Sequence, residues 1–142
     1  MQSIPNNTWT TIVYDVIDVD TGFGNYFSYD KTTGILTVKV DGYFIINAQS
    51  CWDVSAASIK ALRIIKNSDI NFPTFISANT SIVASVYTQS IQNQLPLSAG
   101  ETINVQCFQN TGGPINLLNK FDPSGLGIPA RVTSFAVDFV SR

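Results

Sequence analysis

The chain of 142 residues contains no histidine, and that absence removes the commonest general base and metal ligand from its chemistry. Histidine-dependent zinc sites, nucleophilic triads and haem ligation go with it. Charge is also scarce: Asp, Glu, Lys and Arg make up 13% of the residues, against about 25% in an average globular domain. The net charge is −2 with no run of Lys or Arg, so the electrostatic footprint of a nucleic-acid binder, or of a protein held on an anionic membrane, is missing. No apolar run is long enough to cross a bilayer as a helix. The two cysteines, Cys51 and Cys107, are too few for a disulfide framework. Both sit in strand-like sequence, where small buried thiols are common, and they are expected to be free, with a bridge between them as the alternative. Met1 to Asn7 carries neither the basic nor the apolar part of a secretory signal. These residues, 1–7, are expected to be a short leader before a single domain, 8–142, made in a reducing cytosol.

What is present is strand sequence. Hydrophobic residues make up 44% of the chain, and they recur in short runs separated by turn-forming residues, without a sustained helical period. The expected strands are Thr8 to Val19, Gly24 to Ser28, Ile35 to Val40, Gly42 to Trp52, Ile59 to Lys66, Thr74 to Ser77, Ser81 to Gln94, Thr102 to Gln109 and Arg131 to Val140. Lys66-Asn67-Ser68-Asp69 reads as a turn. The stretch Val54 to Leu62 contains good helix formers but no apolar stripe, and is read as loop running into strand. Eight to ten strands without crossover helices predict an all-β antiparallel sandwich with Greek-key connections.

The segment Gly24 to Ala48 carries the most architectural information. Leu36, Val38 and Val40 alternate with Thr37 and Lys39, as on a strand with one wet face. Asp41-Gly42 is read as the hinge to the next strand. That strand opens with Tyr43, Phe44, Ile45 and Ile46, apolar on both faces, while a two-layer domain can cover only one of them. The other face therefore calls for a partner.

Four local patterns, in order over most of the chain, resemble the jelly-roll superfamily of the complement component 1q globular heads and tumour necrosis factor. They are Asn25-Tyr26-Phe27 followed by Thr33-Gly34-Ile35-Leu36-Thr37, then Asp41-Gly42-Tyr43-Phe44-Ile45, then Leu95-Pro96-Leu97-Ser98-Ala99-Gly100-Glu101-Thr102-Ile103, and finally Ser134-Phe135-Ala136-Val137-Asp138-Phe139-Val140. The chain departs from the family in carrying Glu101 for the usual Asp and Val137 for a usual glycine. The resemblance implies a homotrimer. By the same resemblance Ile45, Asn47 and Gln49 face the threefold axis, joined by Phe135, Val137 and Phe139 of the last strand, while Phe44, Ile46 and Ala48 fill the sandwich. The opposite phase of the last strand, with Ala136, Asp138 and Val140 toward the axis, is left open.

Candidate ligand-binding residues are the aromatic and amide side chains expected in loops: Trp52, Phe72, Phe75, Asn116, Asn119 and Phe121. Stacking faces beside amides suit sugar or protein recognition, although such aromatics also pin loops to a core. The carboxylates Asp15, Asp18, Asp20 and Asp30 offer oxygens of the kind calcium takes. They show no regular ligand spacing and are read as solvated strand ends, so no metal and no cofactor is expected. A low-charge, amide-rich β head without enzyme chemistry fits a non-enzymatic trimer on a virion surface, extracellular after lysis. A phage head fibre, capsid decoration or tail-fibre tip is expected, with other virion proteins and a host glycan or protein as partners, and with no nucleic acid and no membrane. An adhesion head of a bacterial surface or spore coat and a small carbohydrate-binding sandwich are the alternatives.

Overall fold

The computed structural model describes residues 2–14, 25–53, 58–71, 75–81, 86–118, 120–121, 130–131 and 133–141. Among them the chain forms β1 (Gln2–Ile4), β2 (Thr10–Thr11), β3 (Phe27–Asp30), β4 (Ile35–Val38), β5 (Gly42–Asp53), β6 (Ser58–Lys66) and β7 (Phe75–Ser81). These are followed by β8 (Val86–Leu97), β9 (Thr102–Gln109), β10 (Ile115–Leu117), β11 (Lys120–Phe121), β12 (Ala130–Arg131) and β13 (Ser134–Ser141). All pairings are antiparallel. One sheet contains β1, β10, β5, β13 and β8, the facing sheet contains β3, β4, β9, β6, β7 and β2, and β11 pairs with β12.

Period-two sequence builds the core between the layers. Phe44, Ile46 and Ala48 of β5 meet Leu62 and Ile64 of β6 and Ile103, Val105 and Cys107 of β9 in one cluster. Side chains at alternate positions leave the sheet on opposite sides, so each strand puts every second residue into this layer. Leu36 and Val38 of β4 are buried there as well. The Asp41-Gly42 hinge is not a hairpin turn, because β4 and β5 belong to different sheets and the dipeptide carries the chain from one layer to the other. Gly42 is required at that crossing: a Cβ on it would lie 2.5 Å from the Phe139 ring and 2.5 Å from the Ser141 carbonyl.

Residues 2–7 do more than lead into the domain. Gln2, Ser3 and Ile4 pair with Leu117, Asn116 and Ile115, and Ile4 is fully buried in the core. The Gln2 amide also spans to the next segment, donating to Thr11 O at 2.7 Å and accepting from Val13 N at 3.0 Å. A three-residue strand leaves little periodicity to read, and its stability comes from the long-range partner strand. The same holds for β10, which falls between the expected strands Thr102 to Gln109 and Arg131 to Val140.

On the outer side of the second sheet Arg63 is 8% exposed. Its Nε and Nη2 donate to Gln106 Oε1 at 2.9 and 2.7 Å. Its guanidinium lies 4.1 Å from the centre of the Trp9 ring, and Trp9 in turn packs on Phe108 at 5.4 Å. This cation–π and hydrogen-bond clamp fastens the segment before β2 across β9 and β6. The Lys66 to Asp69 turn is formed with Asn67 and Ser68 at φ of 53° and 60°, the left-handed region that Asn tolerates better than most residues.

Cys51 and Cys107 are free and buried. Burial pushes the Cys107 thiol from its ordinary 9.0 up to about 12. The raised value sets the sign of a pH effect: the contribution is intact below pH 9 and is lost as the unfolded chain ionises while the native chain cannot. At 1.36 kcal/mol per pH unit the loss reaches about 2.7 kcal/mol by pH 11. Burial also pushes Tyr14 up, adding loss of the same sign above pH 10. Chemical denaturation at pH 8 and pH 11 is expected to show this fall, and Cys107→Ala is expected to remove the Cys107 share of it. An equal fall in the variant would contradict the assignment.

Candidate assembly face and surface loops

The two-sided apolar start of β5 resolves into one buried and one outward face. Phe44 and Ile46 are completely buried, Ile45 is half-buried, and Tyr43 is 47% exposed. Register then fixes the neighbours on the outward face, because directly opposed residues in an antiparallel pair project on the same side. Along β8, Gln94 lies opposite Ile45, Gln92 opposite Asn47 and Ser90 opposite Gln49. Along β13, Asp138 lies opposite Ile45, Ala136 opposite Asn47 and Ser134 opposite Gln49.

This face is zoned. Tyr43, Pro96 and Val140 gather near one end beside Ile45, with Val140 48% exposed. Farther along β5 the side chains are the amides of Asn47, Gln49, Gln92 and Gln94. Asp138 is the single charged side chain among the β5, β8 and β13 residues just placed on it.

The last strand takes the phase that was left open, and the assignment of Phe135, Val137 and Phe139 to an interface is corrected. All three pack against the core cluster, while Ser134, Ala136, Asp138 and Val140 are exposed. Phe139 stacks on Tyr26 with ring centres 4.5 Å apart and 7° between planes, and meets Phe44 edge-on at 5.4 Å. Phe135 stacks on Tyr14 at 5.3 Å. The physical reason is the carboxylate: with Asp138 inward, a charge would sit among these rings, and the opposite phase leaves it in water. Ile45, Asn47 and Gln49 lie on the outward side of β5, away from the buried series.

The loop candidates separate. Trp52 is not on a loop surface: it ends the inward series of β5 at 0% exposure, opposite Leu117. Its size and apolar body make it core once the strand extends to Asp53. Asn116 sits in β10 opposite Ser3, half-buried in the sheet. Phe75 lies in β7 and Phe121 in β11, and Phe72 and Asn119 lie outside the described residues. Among the described residues, Trp52 in the core and Asn116 in β10 are therefore not loop positions.

Of the four carboxylates weighed for calcium and read as solvated strand ends, Asp15, Asp18 and Asp20 lie outside the described residues. Asp30 is used by the β3–β4 turn, where Oδ1 accepts from Thr32 N at 2.7 Å and Oδ2 from Thr33 Oγ1 at 2.8 Å. Those bonds hold its carboxyl below the usual range. Among the described residues no three His, Cys, Asp or Glu side chains converge.

A groove of about 920 Å³ opens beside the apolar end of the outward face, lined by Val40, Tyr43, Pro96, Leu97, Lys66 and Glu101 among others. Its charges are engaged structurally: Lys66 Nζ is 2.8 Å from Glu101 Oε2, and Asp41 Oδ1 accepts from Ala99 N at 2.8 Å. Lys66 and backbone and amide donors hold the Glu101 carboxyl below its usual range. Acceptors held in this way brace the two turns and are ill-placed to shuttle protons. Ser90, Gln92, Gln94 and Ser134 are face residues that sequence reasoning did not assign to it. The β5–β8 and β5–β13 registers identify them, and register between distant strands has no local signature.

No protein-family model and no curated protein matches the chain. Among solved structures it is similar to that of murine APRIL, crystallised at pH 8.5, with a TM-score of 0.56 and 11% identity over 83% of this chain and 84% of that one. At that identity the likeness concerns the fold alone, and the fold is an antiparallel jelly-roll sandwich of the tumour necrosis factor type.

Proposed function

We propose that the chain is a non-enzymatic, homotrimeric recognition or display module, and that copies meet through the outward face of β13, β5 and β8. The observation that carries the reading is the half-exposed apolar end of that face, with Tyr43 at 47% and Val140 at 48%, continuous with a field of amides and almost free of charge. Contact surfaces are depleted of charge and favour aromatics, and this face carries one charge, Asp138, and an exposed aromatic, Tyr43. The jelly-roll fold supports it, since the murine APRIL structure shares that architecture.

Display on a virion, as a head fibre, capsid decoration or tail-fibre tip, rests on composition: a β head with 13% charged residues that covers its surface with amides and hydroxyls. Host attachment or cementing of a shell are the roles such a module would serve. The oligomer is the first test. Size-exclusion chromatography with light scattering is expected to return a single species of three times the chain mass, and a monodisperse monomer at micromolar concentration would overturn the assembly.

A further inference from the structure

A sheet can recruit a neighbour through its face or by adding a strand to its edge, and β8 is an edge of the first sheet. Among the described residues its one strand partner is β5. Near its start β8 closes on the facing layer, where Gln89 Nε2 donates to Lys60 O at 3.4 Å. Toward its end no such cover is present among the described residues, and an uncovered edge offers N–H and C=O groups to any passing strand.

Two features close this end. Pro96 is paired opposite Tyr43 within an unbroken ladder that runs on to Leu97 opposite Gly42. Proline has no N–H to give, so its nitrogen must point away from β5, toward the free edge. Backbone groups alternate in direction along a strand, so the N–H of Gln94, two residues earlier, points the same way. That N–H is already taken: it donates to Asn93 Oδ1 at 2.8 Å. The two consecutive edge positions at which an incoming strand would find a donor are therefore one occupied and one lacking.

We propose that the edge of β8 from Asn93 to Leu97 is built against strand addition, and that this directs self-association of the chain to the flat face formed by β13, β5 and β8. The inference deepens the trimer reading and rests on it for the second clause alone. The occupant of the face is a second copy of this chain, and the edge is kept closed because the same strand borders both surfaces. Without the closure, the Gln92-Asn93-Gln94 amides on an open edge would favour sheet extension of the cross-β kind.

The double variant Asn93→Thr with Pro96→Val restores both donors and adds β-branched side chains. It is expected to grow into species well above the wild-type size, with thioflavin T fluorescence, while the parent remains discrete. Unchanged size and fluorescence in a folded double variant would overturn the edge closure. Should the double variant not fold, the single variant Asn93→Ala decides by hydrogen exchange: the Gln94 amide is expected to exchange at least tenfold faster than in the parent, whereas Asn93→Asp, which keeps an acceptor, is expected to restore protection. No change in Asn93→Ala would overturn the proposal. A parent protein that is monomeric, with the exchange result intact, would sink the face reading and leave the edge closure standing.

Discussion

Ile45→Glu is expected to turn the proposed trimer into a folded monomer. Ile45 sits on the outward face toward its apolar end, between Gln94 of β8 and Asp138 of β13. A glutamate there faces Asp138 across a strand pair, where like charges repel, and a trimer would bring three such pairs toward one axis. Burying unpaired charge at an interface costs several kcal/mol, so association is expected to weaken by more than about 100-fold, equivalent to about 2.7 kcal/mol at 1.36 kcal/mol per decade. Within one copy the substitution replaces a half-buried outward side chain and should leave the far-ultraviolet circular dichroism intact. Light scattering over a dilution series is the measurement. A variant that remains trimeric at the parent's concentration would show that the contact lies elsewhere.

Phe139→Ala is expected to behave in the opposite way, losing stability at every concentration. Its ring is stacked on Tyr26 and set edge-on to Phe44, and the backbone at Gly42 passes close beneath it. Truncating such a ring removes buried apolar area and opens a cavity that the two sheets cannot collapse to fill, a loss of about 3–5 kcal/mol. Urea denaturation should show this loss undiminished on dilution. A destabilisation that appears only where the parent is trimeric would return Phe139 to the interface and reverse the phase of β13. The contrast between Ile45 and Phe139 is the strongest test of the geometry, because the two residues lie on adjacent strands but on opposite sides of one sheet.

Much of the architecture was legible along the chain. The alternation in Ile35 to Val38 and the doubly apolar opening of β5 identified strands, and Thr102–Gln109 agrees with its expected bounds. The resemblance to the tumour necrosis factor type of jelly roll is borne out at the level of fold. Legibility failed where an element is too short to show a period. Gln2–Ile4 and Ile115–Leu117 are strands because they find each other across more than a hundred residues. It failed again where both faces of a segment are plausible. Ser134–Ser141 alternates cleanly, yet alternation alone does not say which set is inside.

Among the candidate site residues, Ile45, Asn47 and Gln49 lie on the outward side of β5. Trp52 was misplaced for a different reason: it looked like the end of a strand opening into a loop, but β5 runs one residue further and the inward series includes it. A large aromatic at a strand end is ambiguous until the opposing layer is known, and here the opposing layer buries it.

Local patterning by itself determined that this protein is a β-sandwich, because side-chain direction alternates along a strand and each strand's apolar face is written in its own residues. Tertiary structure alone decided which strands are neighbours, which face of β13 meets the core, and what surrounds Ile45. Those facts depend on hydrogen-bonded register between segments far apart in the chain, and register is selected by the packing of the whole sandwich, a quantity that no single stretch of sequence contains.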